Sequence, residues 1–144
     1  MNGDRSSPSM LYAGVVGATL VLVGIIGFFY NASFTSDESV HDAVFGILDV
    51  NGWHNVVHVM TGVLGLLAFG AGAYAVRTYA MAMGIVYLAV AAWGLMVGSG
   101  DSILSVIPVN TEDNILHLLL GVAGVGAALA TPAEARASAP PAAA

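Results

Sequence analysis

The chain has 144 residues, 58% of them hydrophobic and only 8% charged, and its formal net charge is −6. A soluble domain this short exposes too much surface to hide so much apolar side chain, so the composition calls for a bilayer as solvent. Nine acidic residues against three arginines exclude a nucleic-acid partner, whose phosphates need basic side chains, and the lack of cysteine excludes disulfides, iron–sulfur clusters and thiol catalysis.

In chain order, residues 1–9 form a short N-terminus carrying Arg5, followed by a first apolar run over 10–30. That run is too long for a secretory leader, and no small-residue cleavage site follows at FFYNASF, so a retained transmembrane helix is expected. The outer loop 31–52 contains HDAVFGILDVNG, where Val40, Val44, Ile47 and Leu48 recur at helical spacing and predict a short amphipathic helix at the interface. Further apolar runs over 53–76, 79–98 and 115–130, the last starting near Asp113, complete four candidate spans, each requiring about 20 residues. The tail 131–144, TPAEARASAPPAAA, has no periodicity and is expected to be disordered.

With four spans, Arg5, Arg77 and Arg136 all fall on one side, which the positive-inside rule makes cytoplasmic. The expectation is a multi-pass protein of the cell membrane with both termini in the cytoplasm. The outer loops carry no arginine. Together with the adjoining helix starts they hold Asp37, Glu38, Asp42, Asp49, Asp101, Glu112 and Asp113. All four histidines lie at the same outer end. Tyr12, Tyr30, Trp53, Tyr79 and Tyr87 mostly fall near helix ends, as an interfacial aromatic belt requires.

Residues 50–65, VNGWHNVVHVMTGVLG, are echoed by residues 109–124, VNTEDNILHLLLGVAG, at a constant offset of 59. Seven of the sixteen positions are identical, and His54 is matched by Asp113. Upstream, Gly17 and Gly27 keep the spacing of Gly84 and Gly94, the first outer loop being about eight residues longer. Apolar bias explains matched Val and Gly but not matched Asn and His. The chain is therefore read as an all-α integral membrane four-helix bundle, built from two tandem helical hairpins (about 10–77 and about 78–130). Two spans per copy insert both copies the same way up, with a pseudo-twofold axis along the membrane normal.

Paired N-x-x-[HD]-N-x-x-H segments, each opening a Gly-rich helix, resemble a prokaryotic family of small four-span membrane proteins, domain of unknown function 4383. The resemblance covers residues from about 10 to 130 and rests on Asn51, His54, Asn55, His58, Asn110, Asp113, Asn114 and His117. It implies a four-helix integral membrane protein and supplies no activity.

Asn51 and Asn110 stand where helices begin, as N-caps do. Asn55 and Asn114 lie one turn further in and are expected to bond to a neighbouring helix or to fix imidazole tautomers. His54 and His58, at i and i+4, share a face that continues through Gly65, while Asp113 and His117 share one with Gly124. Gly62 and Gly121 add to these small-residue surfaces, which allow close helix packing. If helices two and four pair, His54, His58, Asp113 and His117 converge at the outer end. Such a set suits a divalent transition metal, or a haem held by His58 and His117. It equally suits a hydrogen-bonded lock without a ligand, or a proton or ion path. His41 reads as a solvated loop residue.

Three functions stay open: an accessory or structural membrane protein, alone, as a homo-oligomer or within a larger complex; a metal- or haem-binding membrane protein; and a small ion conductor. An enzyme is not expected, because no nucleophile–base constellation or phosphate-binding loop is present.

Overall fold

A computed structural model describes residues 7–35 and 42–132. Arg5, His41, Arg136 and most of the tail predicted to be disordered lie outside the described residues, as does Val40 of the predicted amphipathic segment. Four helices, α1 (Pro8–Tyr30), α2 (Gly52–Ala71), α3 (Ala73–Val97) and α4 (Thr111–Ala130), are each long and apolar enough to cross a membrane. Their outward side chains are large and apolar, among them Leu11, Leu22, Phe29, Leu67, Met96 and Leu119. A surface of this kind is stable only against hydrocarbon.

The loops that join α1 to α2 and α3 to α4 correct one expectation. The first contains a β-hairpin, β1 (Asp42–Val44) with β2 (Leu48–Val50), and not an amphipathic helix. Phe45 and Gly46 both take positive φ, 53° and 70°, which stops a right-handed helix and turns the chain back on itself. Val44 and Val50 thereby point inward and are buried. The second of these loops repeats the device with β3 (Asp101–Ile103) and β4 (Ile107–Val109).

The helix ends also shift. Gly72, at φ 103°, ends α2 and alone separates it from α3, so Arg77 lies inside α3 rather than in a loop. Its guanidinium Nε–H donates to the carbonyls of Ala128 and Thr131, at 3.1 and 3.2 Å, and so satisfies acceptors that the end of α4 leaves free.

Helix packing differs from the expected pairing of helices two and four. Helix α1 packs along α2, and α3 along α4. Helix–helix contacts between the halves are α1–α3, α2–α3 and α1–α4, and the hairpins meet through β2–β4, α2–β4 and α4–β2. Among the described residues α2 and α4 have no extended backbone packing, and they meet through histidine side chains at their N-terminal ends. The glycines accordingly face other helices. Gly62 lies against Gly17 and Val21 of α1, and Gly121 against Leu88 of α3. Gly65 and Gly124 lie beside the hydroxyls of Tyr79 and Tyr12.

Those two tyrosines tie the halves together. Tyr12 donates its hydroxyl to the Leu120 carbonyl at 3.1 Å, and Tyr79 donates to that of Thr61 at 3.0 Å. Their rings lie 6.3 Å apart in the core with Leu20, Met83, Tyr87 and Ala128. Tyr12→Phe and Tyr79→Phe are each expected to cost about 0.5–1.5 kcal/mol, one buried hydrogen bond apiece. Thermal unfolding in detergent measures this, and no loss in either variant would contradict it.

Candidate functional site

Each half begins its second helix with a capping asparagine that also reaches into the opposite half. The Asn51 Oδ1 accepts the His54 N–H at 2.9 Å, while its Nδ2 donates to the Val106 carbonyl at 2.6 Å. The Asn110 Oδ1 accepts the Asp113 N–H at 2.8 Å, while its Nδ2 donates to the Ile47 carbonyl at 2.7 Å. One side chain thus supplies an acceptor for an orphan N–H of the helix and clamps the turn of the other hairpin. Below them, Asn55 Nδ2 donates to the Asn31 carbonyl at 2.8 Å and holds the end of α1. The Oδ1 atoms of Asn55 and Asn114 have no hydrogen-bond partner among the described residues and press on Gly27 and Gly94. Neither amide fixes an imidazole.

Three histidines converge inside this frame. His54, His58 and His117 are all buried, and one ring nitrogen from each lies within 4.8 Å of the others. The His54 and His58 rings are 4.4 Å apart edge to face, and His54 and His117 are 6.2 Å apart. The His54 Nδ1 is 2.8 Å from the Asp49 carbonyl. A carbonyl only accepts, so Nδ1 carries the proton and Nε2 keeps its lone pair for the cluster. The Nδ1 atoms of His58 and His117 are buried and have no hydrogen-bond partner among the described residues. On the far side, Tyr87 stacks on His117 at 5.4 Å and 22°.

Asp113 is near but engaged elsewhere. One carboxylate oxygen accepts the N–H of Asn110 at 3.2 Å, closing a capping box, and the N–H of Asp49 at 3.0 Å. It is not one of the three ligand atoms that cluster.

Asp49 is the residue that the sequence reading passed over. Its N–H holds Asp113 and its carbonyl holds His54. Fifty-nine residues on stands Pro108, which has no N–H to give. A carboxylate at position 54 would therefore lack from Pro108 the donor that Asp49 gives to Asp113. The same comparison, at offset 67, sets Leu20 against Tyr87. Both mismatches were visible in the aligned halves.

Two cavities flank the histidines. One, of about 160 Å³, lies between α1 and α4 and is lined by Leu20, Val23, His58, Asp113 and His117 among others. The second, of about 80 Å³, lies between α2 and α3 beside Tyr87. An ion in the cluster would thus have apolar walls on both sides, and three imidazoles would leave it one open coordination position.

No curated protein and no solved structure matches the chain significantly. Residues 10–130 match the family described as Domain of unknown function (DUF4383), and since that is most of the 144 residues, the chain belongs to this family of proteins.

Proposed function

We propose that this multi-pass membrane protein is a small accessory component that binds one transition-metal ion at the outer end of α2 and α4 through His54, His58 and His117. The observation that carries this reading is the pair of buried, unpartnered Nδ1 atoms on His58 and His117. A ligand-free lock would have its polar atoms satisfied by one another, since each buried orphan costs about 1–3 kcal/mol. An ion held at those nitrogens would remove that penalty. The Asp49 carbonyl on His54 is the kind of outer partner that orients a metal-ligating imidazole. Nitrogens at about 2.1 Å from a tetrahedral ion are about 3.4 Å apart, so the rings need close by little more than an ångström. A bare ion is favoured over a haem, because cavities of about 160 and 80 Å³ are small against the roughly 300–1,000 Å³ of ordinary small-molecule sites.

The same reading takes the two halves as pseudo-twofold copies about the membrane normal. The reciprocal pairs support it: Asn51 to Val106 with Asn110 to Ile47, and Tyr12 to Leu120 with Tyr79 to Thr61. Both termini are assigned to the cytoplasm and the histidines to the outer face of the cell membrane, on the strength of the arginine distribution. The chain binds rather than catalyses in this reading.

Elemental analysis of protein from metal-replete cells tests the proposal. About one ion per chain is expected, lost in the His58→Ala, His117→Ala double variant and retained in Asp113→Asn. Metal-free wild-type protein would overturn it.

A further inference from the structure

The crevice between α1 and α4 differs in one respect from its counterpart between α2 and α3. In the latter, the phenol ring of Tyr87 lies flat against His117 and leaves a cavity of about 80 Å³. At the matched position in the former stands Leu20, and the space left beside His58 is about 160 Å³. Apolar cavities of about 150 Å³ accept a single benzene ring. This one is walled by aliphatic side chains and reaches outward past Val15 and Leu116, both exposed to the surrounding lipid. Its inner end is formed by His58 and His117, 6% and 5% exposed, and by Asp113.

We infer that this crevice is a binding site for a small, neutral, lipid-soluble phenol, which enters laterally from the bilayer and points its hydroxyl at the end lined by His58, Asp113 and His117. Three observations converge on that occupant. The volume fits one six-membered ring. The wall on the lipid side admits a molecule already dissolved in hydrocarbon and excludes ions and sugars, whose polar groups would go unpaired. The protein also supplies its own precedent, because Tyr87 stacks a phenol on the matched histidine. A hydroxyl, unlike a hydrocarbon, donates a hydrogen bond to the Asp113 carboxylate at that end. This site does not depend on the metal, since that carboxylate is not among the ligand atoms assigned to the ion.

The test uses full-length protein in detergent, stripped of metal by a chelator, with 4-fluorophenol and fluorobenzene as probes followed by fluorine NMR. Saturable binding of one 4-fluorophenol per chain is expected, with fluorobenzene at least tenfold weaker. Leu20→Tyr, which gives this crevice the ring that Tyr87 gives the other, is expected to weaken 4-fluorophenol at least tenfold while leaving metal content unchanged. Val23→Phe narrows the same space from a second position and is expected to act in the same direction, which covers the case in which Leu20→Tyr does not fold. Fluorobenzene binding as well as 4-fluorophenol would mean that the space takes lipid chains, and would overturn the proposal. So would binding that does not saturate, or that survives in a folded crevice variant. Metal binding can fail while phenol binding holds, and the reverse, so the two readings are separately exposed.

Discussion

Gly27→Ala and Gly94→Ala are each expected to destabilise the protein by about 3 kcal/mol, the upper end of ordinary overpacking. A β-carbon at either position would run into the carboxamide oxygen of Asn55 or Asn114, closer than any real contact allows. Retreat is blocked on the first side, because Asn55 Nδ2 is held by the Asn31 carbonyl at 2.8 Å. The helix backbones cannot part without losing the glycine packing beneath: Gly17 lies against the Gly62 carbonyl, and Gly84 against the backbone of Gly124 and Val125. The oxygens themselves have no conventional donor. Their seat is the glycine Cα, where a weak C–H···O contact replaces the missing hydrogen bond only while the helices stay close. Gly70→Ala and Gly126→Ala provide the contrast, since a β-carbon there meets nothing within 4 Å. Both should change stability by no more than about 0.5 kcal/mol. Denaturation curves for the four variants decide the matter, and equal effects at Gly27 and Gly70 would refute the packing account.

The second large effect concerns the broken symmetry of the repeat. His54→Asp makes the two halves alike in sequence at this position and is expected to cost about 3 kcal/mol through an under-satisfied buried carboxylate. The new side chain loses the Nδ1–H that met the Asp49 carbonyl, leaving oxygen facing oxygen. It finds no counterpart to the Asp49 N–H that stabilises Asp113, because Pro108 occupies the matched place. Adding Pro108→Ala restores an N–H and is expected to recover about 1 kcal/mol of the loss. The double variant should therefore melt above His54→Asp, and a double variant that melts lower would show that Pro108 is not the reason for the asymmetry.

The four helices and the outer cluster were legible in the sequence because bilayer-length apolar runs and paired asparagines at helix starts carry their physics locally. Asn51 and Asn110 do cap α2 and α4. The sequence echo matches His58 with His117, and a ring nitrogen of each does lie close to one of His54. What could not be read locally was set by tertiary partners. Val44, Ile47 and Leu48 fit a helical stripe as well as they fit a hairpin, and only the left-handed Phe45–Gly46 turn decides between them. The run through AFGAGAYAVRTYA is apolar on both sides of Gly72, so hydropathy misplaced the break that a positive φ makes there. The glycine stripe correctly announced close packing but not its partner, since a small surface suits α1 or α3 as well as α4. Asp113 looked like a fourth ligand because nothing near it in sequence announces the Asp49 N–H that holds its carboxylate.

The central claim is that three imidazoles hold one ion, and the visible spectrum of Co²⁺-loaded protein tests it most directly. The metal-free protein should take up one equivalent of Co²⁺ and develop the intense visible bands of a four-coordinate nitrogen site. These bands should be displaced by Zn²⁺, unchanged in Asp113→Asn and absent in the folded His58→Ala, His117→Ala variant. Wild-type protein that gives no bands, or a double variant that keeps them, would contradict the account.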